Sequence, residues 1–361
     1  MTKVNFYDEA DDALLKFAVI IARTEGKWVF CKHKDRDTWE VPGGHREPEE
    51  HILDTAKREL YEETGAIDFD IKPVCVYSVI APDNFNGNES FGMLYYADIR
   101  AFERELHSEI ERISVMDGLP EFWTYPAIQP KLIREARRRG FLNNDYDAVV
   151  FDMDGVIFDS ERAVMECWIE LADKYGIENI EKSCLACAGT TAQRTREIML
   201  EAYGADFPYD EYAKEASAMY HEKYDGGRLP VKPGVVELLT FLKQKGKKIA
   251  LASSTRRQTV IAQLRDAGLL DYFSVVIGGD MVERSKPAPD IFLKACEELG
   301  VRPENAYAIE DSYNGIRAAY AGNLRPLMVP DLLPANDEMT ELSDAVLENL
   351  IEVMLEKLVY P

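Results

Sequence analysis

The chain has 361 residues, a length that predicts two or three domains rather than one core. Hydrophobic residues make up 46% of it and charged residues 30%, the proportions of a globular protein in water. The formal net charge of −23 repels other polyanions, so neither a nucleic-acid polymer nor an anionic membrane is expected as a partner.

The cysteines and the N-terminus predict a cytoplasmic protein. Six cysteines in so long a chain do not suggest a disulfide framework, and we interpret the C-x-x-C pair Cys184 and Cys187 as small apolar residues. The acidic N-terminus has no basic leader, and the apolar run 14–22 contains Lys16 and is too short to span a bilayer. We therefore expect a reducing compartment.

Residues 1–142 predict a first unit of mixed α/β structure. Strands are expected over 17–22, 28–31, 74–80 and 91–99. One helix is expected over 49–64, because its first turn is acidic and Gly65 follows its end. Leu53, Ala56 and Leu60 should form the buried stripe of this helix.

The opposite face of that helix is acidic. Glu59, Glu62 and Glu63 stand at i, i+3 and i+4, so their carboxylates share one side. Like charges in this arrangement destabilise a bare helix by a few tenths of a kcal/mol per pair. A hard divalent cation with oxygen ligands would reverse that effect, whereas the alternative is an ordinary solvated acidic face.

The spacing of these residues favours the cation site. From Gly44 the chain reads G-x5-E-x7-R-E-L-x-E-E-x-G-A. This resembles the Nudix box, G-x5-E-x7-R-E-U-x-E-E-x-G-U with U apolar, and departs from it only at Ala66, which is smaller than usual. The resemblance implies an α/β/α sandwich that cleaves a nucleoside diphosphate linked to another group, using Mg²⁺ to bridge the diphosphate and activate water.

The same resemblance assigns roles to residues of the box. The implied metal ligands are Glu59, Glu62, Glu63 and the backbone carbonyl of Gly44 or Gly43. Glu50 and Arg58 would orient this cluster, so that Glu50, Arg58, Glu62 and Glu63 form the predicted catalytic set. A further carboxylate often comes from a late loop, and the sequence leaves Glu109 and Glu111 as alternatives.

Substrate choice should lie outside the box. The segment K-W-V-F-C-K-H…W-E-V-P-G-G-H is similar to nucleoside-triphosphate pyrophosphohydrolases of the MutT and 8-oxo-dGTP diphosphatase kind. A base could stack on Tyr77, Phe85 or Phe91, although each also suits ordinary packing. A basic helix is expected over 131–140, docked on an acidic neighbour, before a linker at 143–145.

The second unit, 145–361, is organised around the stretch 148–160. Four apolar residues predict a buried parallel strand, and Asp152 and Asp154 follow before the turn residue Gly155. Open α/β sheets place ligands at this end of their strands. Two carboxylates brought close together disfavour joint ionisation unless a cation accompanies them.

Four more short apolar strands, at 248–252, 273–277, 306–309 and 324–329, alternate with helical stretches. This alternation predicts a doubly wound parallel sheet, with core segments 145–160 and 230–361. The helical segment 161–229 is too long for a loop and should form a small cap domain. A closing amphipathic helix is expected over 342–358.

Residues 152–160 match D-x-D-G-[VT]-[LI]-x-D-[ST], motif I of the haloacid dehalogenase (HAD) superfamily in its phosphatase branch. The segments A-S-S, K-P-x-P-D and E-D-S-x-x-G follow in the order of the remaining motifs. The resemblance implies that Asp152 attacks phosphorus and that Asp154 protonates the leaving oxygen and then deprotonates water.

Further roles follow from the same resemblance. Ser253 and Lys286 would hold the phosphoryl oxygens. Mg²⁺, with Mn²⁺ as the alternative ion, would be held by Asp152, the backbone carbonyl of Asp154, Asp311 and Glu310. The candidate substrate contacts are Ser254, Gly155 and Arg194.

The cap resembles that of the β-phosphoglucomutase-like branch but departs from its mutases. Val164 occupies the place of their usual His, twelve residues after the nucleophile. Gly189 is followed by T-T-A rather than by their x-S-R, although Arg194 lies nearby. Both departures favour water as the phosphoryl acceptor and hence a phosphatase.

The sequence thus predicts a bifunctional Mg²⁺-dependent hydrolase acting on small-molecule phosphates, with its oligomeric state undetermined. A sugar phosphomutase in the second unit is one alternative. A unit that senses a nucleotide without catalysis is another.

Overall fold

The computed structural model describes residues 2–81, 87–103, 109–142, 145–187, 190 and 192–359. The chain divides into two units, Met1–Asn144 and Asp145–Pro361. The sequence expectations for Phe85, for the linker at 143–144 and for Gly189 fall outside the described residues.

The first unit is built on a seven-stranded sheet. Six strands run in the order β1-β5-β6-β2-β3-β7, and β4 pairs with β2. The β2–β6 pair is parallel, and the other pairs are antiparallel. The strands are β1 (Lys3–Tyr7), β2 (Leu15–Thr24), β3 (Lys27–His33), β4 (Gly43–His45), β5 (Ala66–Ile80), β6 (Ser90–Phe102) and β7 (Ile110–Met116). The four predicted strands lie inside β2, β3, β5 and β6.

Helices cover both faces of this sheet. On one face, α1 (Ile52–Thr64) packs Ala56 and Leu60 into a core with β2 and β6 residues. On the other, α2 (Gln129–Arg138) packs Leu132 and Ile133 against a second core. The arrangement is the α/β/α sandwich expected from the sequence. Arg139, which follows α2, pairs with Asp8 at 2.8 Å and with Glu135 of α2 at 2.6 Å.

The buried stripe of α1 differs from the prediction by one residue. The helix begins at Ile52, because Glu49 has a φ of +66° and cannot belong to an α-helix. Counting from Ile52 in steps of four, Ile52, Ala56 and Leu60 are buried, while Leu53 is only partly buried. The helix ends at Gly65, whose left-handed conformation lets its N–H donate to the Tyr61 carbonyl.

The second unit is built on a parallel six-stranded sheet in the order β10-β9-β8-β11-β12-β13. The strands are β8 (Ala148–Phe151), β9 (Lys248–Ser253), β10 (Val275–Gly278), β11 (Ala306–Glu310), β12 (Arg325–Met328) and β13 (Ala345–Val346). Alternate residues of β8 enter two different cores: Val149 and Phe151 lie on one side, and Ala148 and Val150 on the other. A sheet covered on both faces is the doubly wound arrangement that the sequence predicted.

Six helices accompany this sheet. They are α7 (Val235–Gln244), α8 (Arg257–Asp266), α9 (Asp290–Leu299), α10 (Tyr313–Ala321), α11 (Asp337–Leu342) and α12 (Leu350–Glu352). Residues of α7 and α8 enter one core, and residues of α9 and α10 enter the other. Both faces of the sheet are therefore covered by helices.

Four helices between β8 and α7 form a cap with its own apolar core. They are α3 (Ser160–Tyr175), α4 (Ile180–Cys187), α5 (Ala192–Tyr203) and α6 (Tyr209–Tyr224). Trp168, Leu171, Ile180, Met199 and Tyr212 bury their side chains among one another. Cys184 and Cys187 pack at the edge of this core, and all six cysteines of the chain are free.

The predicted closing helix over 342–358 is partly wrong. Ala345 and Val346 instead form β13, which pairs with β12 at the sheet edge. The helical turn begins only at Leu350, because the Asn349 side chain accepts hydrogen bonds from the N–H groups of Ile351 and Glu352. Across the described ranges, every helix is too short or too polar to cross a bilayer.

Leu60→Ala should lower the free energy of unfolding by about 2–5 kcal/mol, because it deletes a fully buried side chain beneath α1. Leu53→Ala is the matched control on the same helix and should cost clearly less, since Leu53 is partly exposed. Urea titration of the full chain measures both. Its fluorescence reports the first unit through three of the four tryptophans, Trp28, Trp39 and Trp123. Equal losses for the two variants would contradict the described orientation of α1.

Candidate active sites

The strand order of the second unit places its polar strand ends side by side. β8 lies between β9 and β11, with Phe151 in register with Leu251 and Ile309. The N–H of Asp152 continues this pairing and donates to the Ile309 carbonyl at 2.9 Å. Parallel strands end at the same edge, so the residues after β8, β9 and β11 meet there.

Three carboxylates converge at this edge. Asp152, Glu310 and Asp311 each contribute one oxygen to a group whose members lie within 4.8 Å of one another. Asp152 is 7% exposed, and Glu310 is fully buried. A buried set of carboxylate oxygens suits a hard divalent cation, so the residues present fit the metal that the sequence predicts.

Lys286 lies between two of these carboxylates. Its Nζ donates to Asp152 Oδ1 and to Glu310 Oε1, both at 2.5 Å, and to the Ala252 carbonyl at 3.2 Å. The second oxygen of Glu310 accepts from the N–H groups of Asp311 and Ser312, both at 3.1 Å. Glu310 therefore fixes Lys286 and the turn after β11, and both of its oxygens already have donors.

Burial is the largest influence on the pKa values of Asp152 and Asp311. Burial, helped by Glu310 and by the neighbouring aspartates, raises the pKa values of Asp152 and Asp311, although Lys286 opposes the shift at Asp152. Burial favours the neutral form of Lys286, but the Asp152 and Glu310 carboxylates outweigh it and raise the pKa of the ammonium. One lysine thus offsets only part of the negative charge, and a cation would offset more.

Asp154 lies apart from the converging carboxylates and has its own hydrogen bonds. Ser160 Oγ donates to its Oδ1 at 2.7 Å, and Thr255 Oγ1 donates to its Oδ2 at 3.3 Å. Burial raises the pKa of Asp154 and so favours the protonated form. The predicted metal role of Asp154 rested on its backbone carbonyl, and its side-chain oxygens accept from these two hydroxyl groups.

Gly155 lies close to the carboxylate of Asp311. Its φ of +76° is a left-handed conformation, and a Cβ built on it would lie 2.2 Å from Asp311 Oδ2. Ser253 is fully buried, and its Oγ accepts from the Thr255 N–H at 3.0 Å. Ser254 is exposed. Gly155 thus lies beside one of the carboxylates, and the predicted contacts of Ser253 and Ser254 with a phosphate or substrate stay predictions.

Two residues of the cap were also singled out in the sequence, Arg194 and Val164. Arg194 of α5 forms ion pairs with Glu197 and Glu201 of its own helix at 3.0 and 3.1 Å, and about half of its side chain is exposed. These contacts do not place it at the core site, so its role as a substrate contact stays a prediction. Val164 of α3 is 41% exposed.

The first unit has a cavity of about 1040 Å³ bordered by the residues of the box. Gly43, Gly44, Glu59, Glu63 and Glu109 line it. The Gly43 N–H donates to Glu63 Oε2 at 2.9 Å, and a Cβ on Gly44 would lie 2.2 Å from Glu59 Oε1. Of the two late-loop carboxylates, Glu109 lines the cavity, whereas Glu111 pairs with Lys32 at 2.7 Å and does not line it.

Arg58 organises the acidic residues around it. Its Nε donates to Glu50 Oε1 at 2.9 Å, and its Nη1 donates to Glu59 Oε1 at 2.8 Å and to Glu62 Oε2 at 3.2 Å. Its Nη2 reaches the His45 carbonyl at 3.0 Å. The orienting role predicted for Glu50 and Arg58 agrees with these contacts.

The three predicted metal ligands of the box do not converge. Among the described residues, Glu59, Glu62 and Glu63 form no group with one oxygen each within 4.8 Å of the others. Glu62 faces Arg58 with 40% of its side chain exposed and does not line the cavity. Glu59 and Glu62 both accept from Arg58, whereas Glu63 accepts from the Gly43 N–H.

Burial disfavours the ionised forms of two carboxylates that line the cavity. It raises the pKa of Glu63 to about 8 and also raises the pKa of Glu59, with nearby carboxylates adding to both shifts. Two partly buried carboxylates with raised pKa values beside Gly43 and Gly44 are oxygen donors that fit a divalent cation.

Of the aromatic residues proposed to stack on a base, Tyr77 lines the cavity and Phe91 does not. Tyr77 is 5% exposed and lines the cavity. Phe91 packs against Tyr7, with ring centroids 5.8 Å apart, and does not line it. The cavity residues from outside the box that the sequence analysis missed include Glu40, Tyr125 and Gln129. Glu40 lies within the quoted segment W-E-V-P-G-G-H, but no motif identifies Gln129.

Comparisons with known proteins find one family model in each of the two units. A family model described as haloacid dehalogenase-like hydrolase matches residues 146–323, and one described as NUDIX domain matches residues 14–117. A phosphorylated carbohydrates phosphatase of Thermotoga maritima is 34% identical over 182 residues, which are 49% of this chain and 82% of that protein.

Two further relatives bear on the second unit. The beta-phosphoglucomutase of Bacillus subtilis is 32% identical over 215 residues, which are 57% of this chain and 94% of that protein. A solved structure of a HAD family hydrolase from Deinococcus radiodurans, with bound phosphate and sodium, is 24% identical at a TM-score of 0.53. The match covers 59% of this chain and 96% of the Deinococcus radiodurans chain. At that identity the likeness shows the fold alone.

Glu50→Gln should reduce the acid sensitivity of stability. Hydrogen bonds from Arg58 lower the pKa of Glu50 from 4.5 to about 2. The stabilisation from this pair is therefore complete above pH 4.5 and is lost as the pH falls through about 2. Urea unfolding between pH 5 and pH 2.5 should show a smaller loss for the variant than for the wild type. Glu9→Gln removes an exposed carboxylate and should follow the wild type, and a Glu50→Gln curve parallel to both would contradict the described pair.

Proposed function

We propose a pair of activities from the premise that this chain belongs to the haloacid dehalogenase-like hydrolases and carries a NUDIX domain in its first unit. The second unit would release phosphate from a small monoester through an aspartyl-phosphate. The first would cleave a nucleoside triphosphate or another nucleoside diphosphate derivative. The observation that carries the proposal is the convergence of Asp152, Glu310 and Asp311 beside Lys286.

The reaction of the second unit would run in two steps. A carboxylate oxygen of Asp152 attacks phosphorus, the bond from phosphorus to the leaving oxygen breaks, and Asp154 donates a proton to that oxygen. Water then attacks the aspartyl-phosphate, Asp154 takes its proton, and inorganic phosphate leaves as Asp152 is regenerated. The raised pKa of Asp154 supports the first role, because burial shifts this side chain toward the protonated form that a proton donor needs.

The surrounding residues would bind and orient the phosphoryl group. Lys286 donates toward Asp152 and can stabilise negative charge on the phosphoryl oxygens, and the Ser253 hydroxyl lies at the end of the neighbouring strand. The cation would be held by Asp152, Asp311 and the Asp154 carbonyl, with Glu310 mainly positioning Lys286. When bound, Mg²⁺ or Mn²⁺ would supply positive charge against phosphate oxygens in both units and make water more acidic in the first.

In the first unit, Glu59, Glu63 and the Gly44 carbonyl would bind the cation at the cavity wall. Arg58 holds Glu59 in place, and Glu50 holds Arg58. Glu62 would complete the set by turning from Arg58 toward the cavity. Water would attack one phosphorus of the diphosphate, and the bond from the bridging oxygen to that phosphorus would break, giving two phosphorylated products.

Substitutions in the two sites should abolish the two activities independently. Asp152→Asn should lower hydrolysis of a sugar phosphate at least about 1000-fold, because it removes the nucleophile, and leave pyrophosphohydrolase activity intact. Glu63→Gln should lower nucleoside triphosphate cleavage at least about 100-fold and leave the phosphatase intact. Glu111→Gln is the matched control, since Glu111 pairs with Lys32 outside the cavity.

Both activities are measured on the full chain with Mg²⁺, by phosphate release and by chromatography of nucleotides. Loss of both activities in either single variant would contradict two separate sites. No turnover of any phosphate ester by the wild type would overturn the phosphatase proposal.

A phosphomutase is the second candidate, because the beta-phosphoglucomutase of Bacillus subtilis is among the relatives. Position 164 argues against it, since the exposed Val164 has no group to exchange protons. With a hexose 1-phosphate as substrate, we expect free hexose and inorganic phosphate as products, identified by ³¹P NMR. A hexose 6-phosphate in more than trace amount would make the mutase the correct assignment.

A further inference from the structure

The cavity of the first unit contains two buried polar side chains that the proposed hydrolysis does not use. Glu40 is 8% exposed and Gln129 is 5% exposed, and both line the cavity. Burying such groups is unfavourable unless each has a hydrogen-bonding partner. The hydrogen bonds that each side chain already makes therefore indicate whether it could still donate to a ligand or accept from one.

Gln129 presents hydrogen-bond donors. It is the first residue of α2, and its Oε1 accepts from the Val41 N–H at 3.3 Å. Because that contact needs the amide oxygen, the amide nitrogen is the side-chain group left for the cavity. Within the described ranges, no protein acceptor lies in hydrogen-bond contact with that nitrogen.

Glu40 presents acceptors. Its backbone pairs with Cys31, and its Oε2 accepts from Arg36 Nη1 at 3.3 Å. A carboxylate can accept about four hydrogen bonds, so it has capacity for a ligand donor. Burial raises the pKa of Glu40, and Arg36 and His33, which also line the cavity, oppose that shift.

The two side chains are neighbours in the cavity wall. Val41, whose N–H holds Gln129, directly follows Glu40 in the chain. Gly43 lies three residues beyond Glu40, at most about 11 Å away along an extended chain. Val41, Tyr77, Ile128 and Leu132 add apolar surface to the same cavity. A flat ring could contact Glu40 and Gln129 while its phosphates reach the glycines.

We propose that Gln129 and Glu40 select a nucleobase with a ring carbonyl next to a ring N–H. Gln129 donates to the carbonyl, and Glu40 accepts from the N–H. A base with an amino group beside an unprotonated ring nitrogen presents the reverse pattern, which sets donor against donor and acceptor against acceptor. This specificity rests on the proposed nucleotide cleavage in the first unit and names its substrate class.

Inosine triphosphate and adenosine triphosphate test this pairing, because their bases differ only in that edge. The full chain with Mg²⁺ should cleave the inosine nucleotide with a kcat/KM at least about tenfold higher. Gln129→Met removes the donor and should lower this ratio toward one. Gln129→Glu replaces the donor with an acceptor that suits the adenine amino group, while Glu40 still suits the inosine ring N–H, so it should also lower the ratio toward one.

Glu40→Gln provides a second, isosteric test and should also lower the ratio by reducing preference for the ring N–H. The matched control is Gln193→Glu on the cap, where the side chain is exposed, and its ratio should equal that of the wild type. Thermal unfolding and phosphatase activity verify that each variant is folded.

The possible outcomes distinguish the proposed base specificity from the proposed nucleotide cleavage. If the wild type cleaves neither nucleotide, the proposed nucleotide cleavage fails and the specificity fails with it. If the wild type cleaves both at equal kcat/KM, or Gln129→Met and Glu40→Gln keep the wild-type ratio, the specificity is wrong while the nucleotide cleavage stands.

Discussion

Negative charge confined in a buried space is the constraint on which the second unit depends. Asp152, Glu310 and Asp311 converge where β8 and β11 end, and a single lysine lies between them. The fold keeps them together by strand register, by the N–H groups after β11 and by the close approach of Gly155 to Asp311. The same crowding that opposes ionisation makes the pocket attractive to a cation and to a phosphoryl group held against it.

The first unit meets a similar constraint differently. Arg58 neutralises Glu59 and Glu62 from the side of α1, while Glu63 accepts from the Gly43 N–H. The carboxylates are therefore separated rather than gathered, and the cavity beside them is large. A spacious cavity with dispersed charge suits a substrate that brings its own cation, whereas the tight cluster of the second unit suits a preformed metal site.

Much of both folds could be predicted, because the helices and strands carry strong local patterns. The 3.6-residue periodicity of α1 and the apolar run of β8 each depend on neighbours in sequence, and so do the fixed spacings around Glu59 and Asp152. The failures are of another kind. The start of α1 was placed at Glu49, whose positive φ excludes it from an α-helix. Gln129 was missed because its partner Val41 is 88 residues away, a contact that no local pattern encodes.

The cap has an apolar interior that is distinct from those on either side of the sheet, built from Trp168, Leu171 and their neighbours. Residues on its outer surface can therefore be exchanged without disturbing the strands that hold Asp152 and Asp311. In evolutionary terms the chemistry and the choice of substrate are separable traits in this unit. Substitutions in the cap could then change which substrate binds, while the catalytic residues at the strand ends stay the same.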